Sequence, residues 1–171
     1  MYNRRNREFL TQRVGRMEQY CKLRTVVLDE GRGRGVRLVE VDNGSGLSFT
    51  LMADRALDIY EARFKGIPLA WLSPNGIVNP AFYEPEGVMW LRSWPGGMLT
   101  TAGFLNVGGP DTARGEAHGL HGRVSHLPVE QLALENRWRD SEHYELGAAG
   151  TVRHTMAFGE KLEMQIGRAH V

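Results

Sequence analysis

A chain of 171 residues is long enough for one domain with a sizeable core. Its hydrophobic content of 42% and charged content of 24% are ordinary for a soluble globular protein, and a net charge of +1 gives no global case for nucleic-acid binding. The basic excess from Arg4 to Arg37 has no interleaved aromatic platform and reads as a solvated face. No apolar run is long enough for a bilayer, and Met1–Glu8 has no apolar core behind its charges, so it is not a secretory signal. Cys21 stands alone, which excludes an internal disulfide and fits the reducing cytoplasm.

Residues 1–23 are expected to form an N-terminal arm or a short helix, and from Arg24 onward the pattern is β. Gly31, Gly33 and Gly35 have neither a Gly-Lys-Ser/Thr ending nor a helical pattern after them, so they predict a hairpin turn rather than a phosphate loop. Val36–Val41, then Asn43-Gly44, then Leu47, Phe49, Leu51 and Ala53 alternating with Ser48, Thr50 and Met52 predict a hairpin into a half-buried strand. Asp54–Ile59 leads into a strand over Tyr60–Phe64, and Gly66 and Pro68 turn the chain into Leu69–Leu72. Residues 73–97, rich in Pro, Gly, Asn and Trp, predict a long ordered loop. Leu127–Trp138 and Tyr144–Phe158 read as strands around the turn at Arg139–Glu142, with Val152, His154, Met156 and Phe158 on one face. His154 is therefore expected to be a packed strand residue. Trp71 and Trp90 are also expected in the core, and Asp54 with Arg55 as a structural pair. The fold class is all-β, a large sandwich without repeats or linkers.

Between the two β regions, Glu116–His126 packs three of the six histidines, a carboxylate and an arginine into a glycine-framed loop. Histidine moves protons near neutral pH, and loops on a rigid scaffold are where such groups gather. Thr100–Ser125 is expected to lie as a loop and strand edge over the concave face of a sheet, with no helix through His118 and His121.

The end of the chain is unusual. Lys161–Gln165 reads as the start of a strand with nothing to pair against, and residues 166–171 match in-frame read-through of a sequencing adapter. His170 is accordingly given no functional weight.

Four ordered motifs, Asp54–Ile59, Trp71–Pro74, Trp90–Gly103 and Gly119–Arg123, resemble the aldose 1-epimerase-like family of the galactose mutarotase-like superfamily. The resemblance covers roughly residues 10–165. It departs at Ala56, where glycine is expected, and at Ala102-Gly-Phe104, where Cys-Gly-Leu is expected. It implies that residues 24–165 are the N-terminal portion of a single antiparallel β-supersandwich about twice this length. Expressed alone, such a portion should be poorly soluble and inactive. In the family's chemistry a base removes the anomeric hydroxyl proton while an acid protonates the ring oxygen.

By this resemblance His121, in Leu120-His121-Gly122, is the catalytic candidate. Arg92, His118 and Arg123 are candidates for holding sugar hydroxyls, and Trp90 and Trp94 for stacking on a sugar face. A second histidine and the carboxylate base are expected beyond Gln165. The implied partner is a small-molecule sugar, with no cofactor, no nucleic acid and no membrane. Two other readings stay open. One is a non-catalytic carbohydrate-binding or sensor protein on the same fold. The other is a metal site at Glu116, His118, His121 and His126, disfavoured because the spacing fits no zinc pattern and glycine-rich loops are poorly preorganised.

Overall fold

A computed structural model describes residues 6–170, without the side chains of Ala169 and His170. The first five residues, Arg4 among them, and Val171 lie outside the described part. The arm contains one short helix, α1 (Arg7–Thr11), whose first turn is capped by the Asn6 side chain accepting from Phe9 N–H at 3.0 Å.

Five strands then form an antiparallel meander, β1 (Lys22–Val27), β2 (Arg37–Asp42), β3 (Leu47–Met52), β4 (Asp58–Phe64) and β5 (Ile67–Pro68). The glycine run 31–35 turns β1 into β2, and Asn43-Gly44 turns β2 into β3, with the Asn43 side chain accepting from Ser45 and Leu47 N–H. Two short pairs follow: β6 (Trp71–Leu72) with β7 (Gly96–Gly97), and β8 (Asp111–Ala113) with β9 (Glu116–His118). The last sheet is β10 (Val129–Trp138), β11 (Tyr144–Thr155) and β12 (Lys161–His170). No helix passes through His118 or His121.

The core lies between the five-stranded and three-stranded sheets. Val39, Val41, Leu51 and Ala53 come from the first, and Leu146, Ala148, Val152 and Ile166 from the second. Period-2 alternation selects these residues on each strand. Backbone hydrogen bonds also join the layers, since Val129 N–H donates to Ala53 O at 2.7 Å and Ala56 N–H to Leu127 O at 2.9 Å.

Several expectations are corrected. β3 is not half-buried along its length. Met52 packs with Val36 and Leu38 on the opposite face, because Ile77 and its neighbours in the 73–97 loop fold back across it. β11 stops at Thr155; Met156–Gly159 make the turn into β12, which leaves Met156 and Phe158 exposed instead of in line with Val152. Lys161–Gln165 does have a partner: β12 pairs with β11 from Lys161 opposite Thr155 to His170 opposite Leu146. Trp71 is 61% exposed, since β6 belongs to a short two-stranded pair and the Trp94 ring, 5.5 Å away, covers only part of the indole. Asp54 pairs with Arg37, not with Arg55; Arg37 also donates to Val129 O at 3.1 Å, tying β2 to β10.

Candidate functional site

The Leu120-His121-Gly122 segment has no regular structure, yet most backbone groups around it have a partner. His121 N–H donates to Gly108 O at 2.9 Å, and Gly103 N–H donates to His121 O at 3.0 Å. Leu120 N–H donates to Gly87 O at 2.9 Å, and the Asn106 amide donates to Gly119 O at 2.7 Å. The loop is thereby clamped between residues 85–87 and 103–108. This corrects the expectation of a poorly preorganised loop.

Its glycines are required by close approach. A Cβ at Gly119 would lie 2.0 Å from Pro85 O, and one at Gly122, where φ is +71°, would lie 2.4 Å from Gly103 O. His121 itself adopts a left-handed φ of 58°, a conformation uncommon for residues with a Cβ.

The His121 ring stands edge-on against Trp90 at a centroid distance of 5.0 Å. Its Nδ1 accepts from Gly108 N–H at 3.2 Å. In the neutral ring the proton therefore sits on Nε2, the nitrogen that has no protein partner among the described residues. His121 is a preset donor.

Two adjoining hollows lie beside this loop. One is lined by Tyr83, Phe104, Asn106, His118, His154 and Glu160, and the other by Glu86, Pro110, Asp111 and Thr112. His118, Gly119 and Arg123 belong to both, so the two make one groove. His118 reaches it from the end of β9. Gly119 and Gly122, the neighbours of the Leu-His pair, line it, whereas the His121 ring lies on the Trp90 side.

His154 is packed on its strand, as expected, and it also borders the groove. It continues the core face of β11, in step with Leu146, Ala148 and Val152. But it lies one residue from the strand's end, where the core gives way to the groove. Its Nε2 lies 3.0 Å from Glu160 Oε1, across the turn before β12. The Glu160 backbone N–H and the His154 contact hold the Glu160 carboxyl below its ordinary range, so it is ionised at neutral pH. A histidine at the end of an apolar face, with a glutamate six residues on beyond a turn, is the signal that could have flagged it.

The other candidates lie elsewhere. Trp90 is 3% exposed and donates its Nε1–H to Ser125 Oγ at 3.1 Å. Both of its environments are protein, so it is a support for His121 and offers no open face to a sugar. Trp94 lies between Trp90, on which it stacks, and the tilted Trp71 ring, with centroids 5.5 Å from each, and donates to Thr100 Oγ1. Arg92 faces Glu84 at 3.7 Å, outside the groove. His126 is buried against Arg55, Ser93 and Ser125. The four residues weighed for a metal are thus split among the groove, the Trp90 side and the interior. Among the described residues no group of three or more His, Cys, Asp or Glu side chains could hold a metal ion.

A family model with the description "Domain of unknown function (DUF4432)" matches residues 33–169. The chain belongs to this family. Its fold is galactose mutarotase-like. A crystal structure of a "putative aldose 1-epimerase" from Klebsiella pneumoniae subsp. pneumoniae is similar over 97% of this chain, with 26% identity and a TM-score of 0.80. The chain spans 42% of that one. No curated protein matches it. The chain thus has an aldose 1-epimerase-like β-sandwich fold, with a groove beside the Leu-His-Gly loop. No helix among the described residues is long and apolar enough to cross a membrane.

Proposed function

We propose that the protein binds an aldose in this groove and interconverts its two anomers by acid–base catalysis in the cytoplasm. The observation that carries the reading is the convergence of His118, Arg123 and the His154–Glu160 pair on a groove bordered by Leu120-His121-Gly122. Similarity to a structure bearing the aldose 1-epimerase name supports the choice of reaction.

In this reading the bound sugar extends from the groove past Gly122 to His121, whose Nε2–H is the acid. It protonates the ring oxygen as the C1–O5 bond breaks. The His154–Glu160 pair takes the proton from the anomeric hydroxyl, and the electron pair left on that oxygen forms the aldehyde C=O. Rotation about C1–C2 and reversal of the proton transfers close either anomer. Glu160 orients the His154 ring and stabilises its charged form, as a carboxylate does for a catalytic histidine. Arg123 and His118 hold sugar hydroxyls, while Trp90 sets the angle of the His121 ring.

The test is anomer exchange of an aldose, followed by polarimetry or by NMR saturation transfer. His121→Gln and His154→Gln should each reduce the rate about 10²–10⁴-fold, the usual worth of a general acid or base, with melting temperatures close to wild type. Wild-type rates in both variants would sink the proposal. Loss of activity with sugar binding also gone in His118→Ala would place the sugar in the groove. Sugar binding without any wild-type exchange would favour a sensor on the same fold.

A further inference from the structure

Two charged residues of the Asp54–Ile59 segment have no place in the chemistry above. Arg55 is 0% exposed and Asp58 is 1% exposed. Burying either charge costs several kcal/mol even after relaxation, and packing alone would be served as well by apolar residues. Arg55 does not satisfy its own donors either: its Nε has no partner among the described residues. The two charges act on each other, and each also contacts a segment that leads to the His121 loop.

From Arg55, a guanidinium N–H lies 3.0 Å from His126 Nε2. Arginine only donates, so Nε2 is the acceptor nitrogen and the ring proton sits on Nδ1, directed at Ser125 Oγ at 3.3 Å. The same Ser125 oxygen receives the Trp90 Nε1–H, and the Trp90 ring meets His121 edge-on. Tyr83 stacks on His126 at 4.0 Å and donates its hydroxyl to Gly122 O at 3.3 Å, one residue beyond His121. Burial, then the Arg55 charge, push His126 down to about 2, which keeps it neutral.

From Asp58, a carboxylate oxygen accepts Thr101 N–H at 2.7 Å. Two residues on, Gly103 N–H holds His121 O, and Gly103 O receives the N–H groups of Arg123 and Val124, each at 3.0 Å.

We infer that Arg55 and Asp58 are positioning residues that fix the ring and backbone of His121, Arg55 through His126, Ser125 and Trp90, and Asp58 through the Thr101–Gly103 segment. The catalytic meaning rests on the proposed role of His121; the geometric claim does not.

The experiment is NMR of ¹⁵N-histidine-labelled protein carrying this chain, as wild type, Arg55→Met, Ser125→Ala and Ser125→Thr, with thermal unfolding alongside. In wild type His121 should be a single Nε2–H tautomer and His126 a single Nδ1–H tautomer that does not titrate between pH 5 and 8. In Arg55→Met and Ser125→Ala the His121 ring should become a mixture of tautomers, and Ser125→Thr should restore the single one. Folded Arg55→Met or Ser125→Ala protein with an unchanged His121 signal overturns the inference. Ser125→Ala decides the matter where Arg55→Met fails to fold. Where exchange is measurable, kcat should fall tenfold or more in Ser125→Ala with KM within twofold. A wild type without exchange, whose His121 still responds to these variants, would defeat the proposed function and leave the positioning intact.

Discussion

Replacing Asp58 by asparagine should change how stability depends on pH far more than it changes the structure. The amide oxygen can still accept Thr101 N–H, so the turn keeps its hydrogen bond. The charge, however, goes. Burial outweighs the Thr101 hydrogen bond and the nearby arginines and raises Asp58 from 3.8 to about 7. Its stabilising contribution is therefore fully present below 3.8 and is lost as pH rises through about 7. His126 works in the opposite sense. It is depressed from 6.5 to about 2, so its contribution is present above 6.5 and is lost as pH falls toward 2. In wild type the two slopes oppose each other between about pH 4 and 6.5; in Asp58→Asn only the histidine slope remains. Each pH unit of unequal proton binding is worth about 1.4 kcal/mol. From pH 4.5 to 7.5 wild type should therefore lose about 3 kcal/mol relative to Asp58→Asn. Carboxylates held low by surface partners, such as Asp140 beside His143, are common to both proteins and drop out of the difference. The assay is urea unfolding across that pH range, with free energies from linear extrapolation. Parallel curves for the two proteins, within about 1 kcal/mol, would show that Asp58 titrates normally and refute the argument.

Gly122→Ala should destabilise the protein by more than about 2 kcal/mol, because a methyl 2.4 Å from Gly103 O at a positive φ leaves the loop no local escape; a melting point within 2 °C of wild type would contradict the packing of the Leu-His-Gly loop. Ala56 adopts φ 52° at a buried position, so Ala56→Gly should stay within about 1 kcal/mol of wild type, strain relief offsetting the entropy and lost methyl; calorimetry showing a loss above about 2 kcal/mol would count against the left-handed turn. Glu160→Gln should slow anomer exchange less than His154→Gln does, because the amide can still orient the ring but cannot stabilise its charge; equal or reversed effects in single-turnover measurements would assign the base elsewhere.

The sandwich was legible because its strands obey local rules. Period-2 alternation in Val39–Val41, Leu51–Ala53 and Leu146–Val152 points at one core, and Asn43-Gly44 announces its hairpin in two residues. What failed was decided at long range. The second buried face of β3 exists because Ile77 returns over Met52, a contact 25 positions away that periodicity cannot show. Trp71 was expected inside on residue type alone, yet only its neighbours in space decide whether an indole is covered, and among the described residues β6 pairs only with the two glycines of β7. The departure at Ala56 acquires a physical meaning in the same way: the position is left-handed, which is why glycine is the expected residue there.

The site was legible only as a loop. Glu116–His126 reads as one histidine cluster, but the chain bends through it so sharply that its three histidines serve three places: His118 the groove, His121 the Trp90 support, and His126 the interior. Adjacency in sequence does not separate a donor from the residue that holds it. The converse holds for His154 and Arg55. Each sits in an apolar pattern and invites a packing interpretation, and each is packed. Yet a buried histidine 3.0 Å from a groove carboxylate and a buried arginine with an unpartnered nitrogen cost more than packing returns. Both are explained once they are seen to act on neighbours brought in from elsewhere, His154 on Glu160 across a turn and Arg55 on His126, 71 positions away. The chemistry-bearing residues of this fold are therefore found by asking which buried polar groups lack a local reason, a question that the sequence poses at Asp54–Ile59 and that only the tertiary contacts answer.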